Sequence, residues 1–255
     1  MRPVTAAILA TAVLAALPGL AAAQVLRELE PIHLEYDIYW GQPAAKVGGA
    51  SVSFVPTDTK RGRRLEVHAG TQYKLPMTPE FDYEEECTMT CDSTGVARFQ
   101  TTARALGQER LNIALRAGAD FQVTTTFGGK TVNKTITAGV RQTNFGLFAG
   151  GFLPDRLDGD GMLIDYPLLF PVGGDHLARQ KYREAVLPFV LADGSKVPAI
   201  ATRLKHRDET SDRLWNAEKG HQILLKMDQQ SPQGLLIYLL TSVNGVEPSK
   251  SELIQ

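Results

Sequence analysis

At 255 residues, 43% hydrophobic and 22% charged, the chain has the balance of an ordinary globular protein with a sizeable core. Its formal net charge of -1 excludes sequence-independent nucleic-acid binding, which needs many cationic contacts to phosphate. Two basic clusters, Lys60-Arg61-Arg63-Arg64 and Lys205-His206-Arg207, are flanked by turn residues and read as solvated loops.

The first element is a secretory signal peptide over residues 1–23. Arg2 supplies a positive n-region, Val4 to Leu17 an apolar h-region, and Ala21-Ala22-Ala23 the small residues that a signal peptidase reads. Cleavage is expected between Ala23 and Gln24, and the expected compartment is the periplasm. The h-region is shorter than the roughly 20 residues of a spanning helix. No later apolar run is long enough to cross a bilayer as a helix, so the processed protein is not expected to span one.

Beyond Gln24 the texture is short runs with period-two alternation, punctuated by Gly, Pro, Asp and Asn. Strands are predicted over His33–Trp40, Ala50–Val55 after a Gly48-Gly49 break, Arg64–Ala69, Tyr83–Thr90, Val96–Ala103 and Leu111–Leu115. Phe121–Phe127 and Thr131–Thr137 flank Gly128-Gly129, a pair that supplies the positive φ angles of a tight hairpin turn. Between Thr143 and Gly174 the pattern becomes irregular, with short helical candidates at Thr143–Ala149 and His176–Tyr182. Strands resume over Val186–Leu191, Val197–Leu204, Arg213–Asn216, His221–Met227 and Leu235–Thr241.

So many sequential hairpins predict an all-β protein: an antiparallel meander curled into a roll or incomplete barrel, since an open sheet exposes its edges. The irregular zone is read as a mid-chain crossover carrying one or two short helices. Residues 24–255 are read as a single β-rich domain, with a division into two as the alternative.

The order of parts resembles that of uncharacterised periplasmic β-rich proteins of bacteria, known as families of unknown function. The residues carrying it are the Ala-rich signal, the strand Tyr36-Asp37-Ile38-Tyr39-Trp40-Gly41, the Glu-bearing strand before an Asp-x-x-Gly turn, and Leu214-Trp215-Asn216-Ala217-Glu218-Lys219-Gly220. The resemblance implies a curled antiparallel sheet similar to that of the Lol-type lipoprotein carriers. It implies no catalytic residue.

Cys87 and Cys91 are the only cysteines, and export to an oxidising compartment favours a disulfide between them. Four residues of extended strand span about 13 Å, whereas bonded cysteines keep their Cα atoms within about 7 Å. The disulfide therefore requires a local bulge, and the alternative is two thiols on one strand face. No metal site is expected, because the five histidines are scattered and Glu84, Glu85 and Glu86 point alternately to opposite faces. An EF-hand alignment on Gly161 fails at Arg156 and Pro167. Neither a Gly-x-Ser-x-Gly elbow, a Ser-x-x-Lys pair nor a phosphate loop occurs, and no cofactor is expected. The segment Phe145 to Pro154 sets Phe145, Phe148 and Phe152 among glycines, as a flap over an apolar site or a plug in the curled sheet would. The expected function is non-catalytic: binding of an apolar ligand such as a lipid or lipidated protein on the concave face. The alternatives are an interaction module pairing through its sheet edge and a hydrolase of envelope polysaccharide.

Overall fold

The computed structural model describes residues 30–41, 44–60, 62–76, 81–92, 95–118, 120–137, 144–145, 163–169, 176–205, 211–218, 223–231, 234–249 and 253. The first eight strands are β1 (Ile32–Trp40), β2 (Ala45–Thr59), β3 (Gly62–Leu75), β4 (Phe81–Asp92), β5 (Gly95–Ala105), β6 (Gln108–Ala117), β7 (Asp120–Phe127) and β8 (Lys130–Thr137). Seven follow: β9 (Asn144–Phe145), β10 (Leu163–Leu169), β11 (His176–Val190), β12 (Lys196–Lys205), β13 (Ser211–Ala217), β14 (Leu224–Ser231) and β15 (Gly234–Val243).

These strands make one sheet in the order β8-β7-β6-β5-β4-β3-β2-β1-β15-β14-β13-β12-β11-β10-β9. Each half is a meander of sequential neighbours, antiparallel except where β9 lies parallel to β10. The halves meet where β1 pairs with β15, and the described ladders leave β8 and β9 at opposite ends of the order. The sheet is therefore not closed into a barrel.

Period-two alternation fixes which face is buried. On β1, Ile32, Leu34, Tyr36 and Ile38 are buried, while Glu35 between them is exposed. The same parity runs across the ladders through Phe54, Val67, Met89, Phe99, Ala114 and Val123, and on β15 through Leu236, Tyr238 and Leu240. The curl is visible in side-chain approaches that a flat sheet forbids. Tyr238 on β15 and Glu85 on β4 are four ladders apart, about 19 Å along the sheet. Yet the Tyr238 hydroxyl lies close enough to Tyr73, Glu85 and Asp212 to feel their charge. Tyr36 likewise donates to the Leu224 carbonyl across β15, at 3.0 Å.

Three local expectations are corrected. His176–Tyr182 is not helical but opens β11, laddered on β10 and β12, because neighbouring strands supply hydrogen bonds that local periodicity cannot reveal. Of Thr143–Ala149, the described Asn144–Phe145 is a short strand, and the zone read as irregular also contains β10. Gly48-Gly49 does not break a strand, since β2 runs through both.

Candidate functional site

The concave face carries a polar cluster within its apolar packing. Glu85 projects inward beside Tyr83 and Cys87, because residues two apart on a strand share a face. Its carboxylate accepts a hydrogen bond from the Tyr83 hydroxyl at 2.5 Å and another from Thr101 at 2.8 Å. The Tyr83 ring stacks on Tyr73 with centroids 5.0 Å apart, and Tyr73 on Phe81 at 6.2 Å. Burial pushes the Tyr73 hydroxyl up to about 12, and the Glu85 charge adds to the shift. Tyr83 and Tyr238 are pushed up too, burial again being the first cause. Farther along the same face Asn112 is fully buried and accepts from Thr125 at 3.0 Å. The cluster fills the curl between β3, β4 and β15.

On the convex side the sheet bends into an open groove of about 540 Å³ over Gly49, Ser51, Gly70 and Gln72. Its walls are Glu35 and Asp37 on β1 and Glu84 and Glu86 on β4. Two glycines on neighbouring strands, Gly49 and Gly70, supply no side chain, which is why the floor is low. Asp37 is held by Lys46 at 2.7 Å, and Glu84 by Arg104 at 3.2 Å. The walls stand three ladders apart, about 14 Å between backbones, whereas glycosidase carboxyls lie roughly 5–10 Å apart. Among the described residues no group of three His, Cys, Asp or Glu is placed to hold a metal ion.

The concave face stops being filled at the β7–β8 arm. Phe121 and Val123 are buried, but Phe127 is 40% exposed and Val132 52% exposed. The Arg110 guanidinium lies over the Phe127 ring, 4.8 Å from its centroid. Its Nε is buried without a hydrogen-bond partner, and Arg110 forms no ion pair among the described residues. An apolar strip with a cation at its end is thus left open on the inner face.

No family model matches the chain, and neither does any curated protein. Among solved structures it is similar to the crystal structure of a β-barrel-like protein of the domain of unknown function DUF1849 from Brucella abortus. The superposition has a TM-score of 0.59 at 11% identity and covers 84% of this chain and 96% of that one. The likeness shows the fold alone: a β-rich, barrel-like architecture of uncharacterised role.

The residues singled out in the sequence fare unequally. Cys87 and Cys91 are both free, so the expected disulfide is corrected. Both lie on the inner face of β4, with Met89 between them, and the β3–β4 ladder is regular across all three. The one register shift nearby, at Thr90/Cys91, is toward β5, where Thr90 pairs with Arg98 and Cys91 with Val96, so the extra residue lies on β5 and not between the cysteines. Burial pushes the Cys87 thiol up, and the Cys91 thiol up to about 12, so neither is a ready nucleophile. Thiol titration in denaturant without reductant is expected to give two free thiols per chain. A count of zero would require β4 to leave its ladder with β3. Of the three phenylalanines, Phe145 falls in β9 with its side chain undescribed, and Phe148 and Phe152 lie outside the described residues.

Arg110 and Phe127 were not singled out in the sequence, and Glu85 was weighed there only as a metal ligand, with Glu84 and Glu86, and set aside. The signal that separates it is parity, which puts it on the face of Tyr83 and Cys87.

Proposed function

We propose that this chain is an exported, non-catalytic binding protein of the cell envelope. It holds an apolar ligand, a lipid or a lipidated segment, against the concave face of its sheet. The observation that carries the reading is the open strip of Phe127 and Val132 where the concave face runs past its packed core. Apolar side chains left uncovered on an inner face cost free energy unless something covers them. The signal-like stretch from Arg2 to Ala23 supports export to the periplasm. The barrel-like fold is compatible with a binding role but does not specify one.

Native mass spectrometry of protein purified from the periplasm is expected to show co-purified lipid. In solution a fluorescent fatty-acid probe should bind, and Phe127→Thr should weaken it, since Thr keeps the strand but removes the ring. Phe148→Ala should also weaken it with the fold intact if that segment covers the ligand. If the segment is a plug, the same change instead destabilises by about 3–5 kcal/mol. Absence of both co-purified lipid and probe binding overturns the reading. It would favour an interaction module pairing through its sheet edge, for which the exposed residues Thr131 to Thr135 of β8 speak.

A further inference from the structure

Two hairpins end side by side at one end of the sheet, β5–β6 at Leu106-Gly107 and β7–β8 at Gly128-Gly129. In the β6–β7 ladder the last pair at this end is Arg110 with Phe127. Gln108 and Glu109 therefore continue beyond β7, and the β5–β6 tip projects past it by about 7 Å. At the tip sits Leu106, 60% exposed and in the left-handed region at φ 52°.

That position is costly twice over. A two-residue hairpin turn with positive φ selects Asn, Asp or Gly, because a bulky side chain is strained there. Leu106 is also an apolar side chain in water. Neither the turn nor the core gains anything from it, and an outlier of this kind points outward, to something the tip touches. Its surroundings indicate what. Phe127 and Val132 are exposed on the adjoining hairpin, and Arg110 sits on the Phe127 ring with no hydrogen-bond partner for its Nε among the described residues. Lys130 is exposed at the start of β8 and has no ion pair among the described residues. Glu109, the neighbouring carboxylate, is engaged by Arg104 at 2.8 Å. Leu115, by contrast, is 47% exposed on the opposite face and stands apart from this group.

We propose that the β5–β8 end docks the protein on an anionic lipid surface, with Leu106 and Phe127 entering the acyl boundary and Arg110 and Lys130 meeting lipid phosphates. A projecting apolar tip beside cations that form no ion pair among the described residues suits a yielding, planar, negatively charged interface. It does not suit a small free anion, which a convex tip cannot enclose. Phe127 is shared with the concave strip, so the docking is told apart at Leu106, which lies in the turn outside that strip. Vesicle binding and probe binding are both measured on Leu106→Asn, which should weaken the first and leave the second unchanged.

The test is co-sedimentation with vesicles, using the chain from Gln24 onward, which retains every described strand. Vesicles of phosphatidylglycerol mixed with phosphatidylcholine are compared with phosphatidylcholine alone, at low and high salt. Binding to the anionic vesicles, weakened by salt, is expected. Leu106→Asn combined with Arg110→Gln should reduce partitioning roughly tenfold or more. Asn is at home at positive φ, so Leu106→Asn alone should not lower the thermal midpoint. Leu115→Thr is the control and should leave partitioning unchanged. Absence of binding, equal binding to neutral vesicles, or binding that survives the double substitution overturns the proposal. So does a loss of binding in the Leu115→Thr control matching that of the double variant.

Discussion

Gly48→Ala is expected to cost the protein its fold. A Cβ at this position would lie 2.6 Å from the Cα of Tyr73 and 2.7 Å from its Cβ, and would overlap the Gln72 carbonyl oxygen. The obstruction is largely backbone of the neighbouring strand, so no rotamer change relieves it. Relief would require β2 and β3 to separate at the end of a ladder that runs from Gly48 opposite Tyr73 to Thr59 opposite Gly62. Tyr73 is also the ring on which Tyr83 stacks, so the displacement would reach the Glu85 cluster. A loss above about 4 kcal/mol is expected, beyond the usual roughly 1–3 kcal/mol of overpacking because the obstruction is backbone that cannot repack. Gly70→Ala provides the comparison, because its Cβ would make only an ordinary contact, 3.7 Å from the Ser51 hydroxyl. Urea denaturation should leave Gly70→Ala within about 1 kcal/mol of the parent, as expected for a strand glycine with room for a methyl group. A Gly48→Ala protein with a near-parental midpoint would refute the close approach.

Alkaline pH should unfold the protein cooperatively. Burial holds the hydroxyls of Tyr36, Tyr73, Tyr83 and Tyr238 above their ordinary value of 10.0, Tyr73 at about 12. The thiols of Cys87 and Cys91 are likewise raised above 9.0, Cys91 to about 12. All six groups are acids whose folded state keeps the proton longer than the unfolded chain does. Their contribution to stability is therefore fully present below about pH 9 and is lost as pH rises through the folded values, because the unfolded state then binds fewer protons. The urea midpoint should be insensitive to these groups near neutrality and fall steadily above pH 9. The ultraviolet absorbance of the buried tyrosinates should appear in one step with loss of the β-sheet circular dichroism. Gradual tyrosine titration near pH 10 with the sheet intact would contradict the buried cluster.

Sequence made the strands legible wherever one face is buried and the other wet. Ile32–Ile38 alternates cleanly, Leu235–Leu240 stands out as an apolar run between turn residues, and the hairpin at Gly128-Gly129 announces itself through two adjacent glycines, both at positive φ. The opening of β11, His176 to Tyr182, lacks that alternation, so its pairing is invisible in one dimension. Gly48 looks like a strand breaker locally, whereas its role is to make room for Tyr73, which is distant in sequence. The groove escapes detection for the same reason. Its floor joins Gly49, opposite Gln72, to Gly70, opposite Ser51, a diagonal pair made neighbours only by the ladder of β2 with β3. Glu85 is the intermediate case, since parity gives its face but only the curl gives it Tyr238 as a neighbour.

The pairing of β1 with β15 makes the sheet's last strand in chain order indispensable to its first. Each meander can assemble from adjacent hairpins as it is made, at the small entropic cost of short loops. The seam between the halves has no such local route, because His33 meets Asn244 at 2.8 Å across 211 positions of chain. Whether the chain emerges from a ribosome or from an export channel, β1 has one ladder partner until residues 234–243 have followed. A premature stop before β15 would thus split the sheet down its middle and strand Leu34, Tyr36 and Ile38 beside an empty flank. In most meanders the terminal strands can fray with little loss. Here they are the keystone, and both margins of the sheet belong to the interior of the chain.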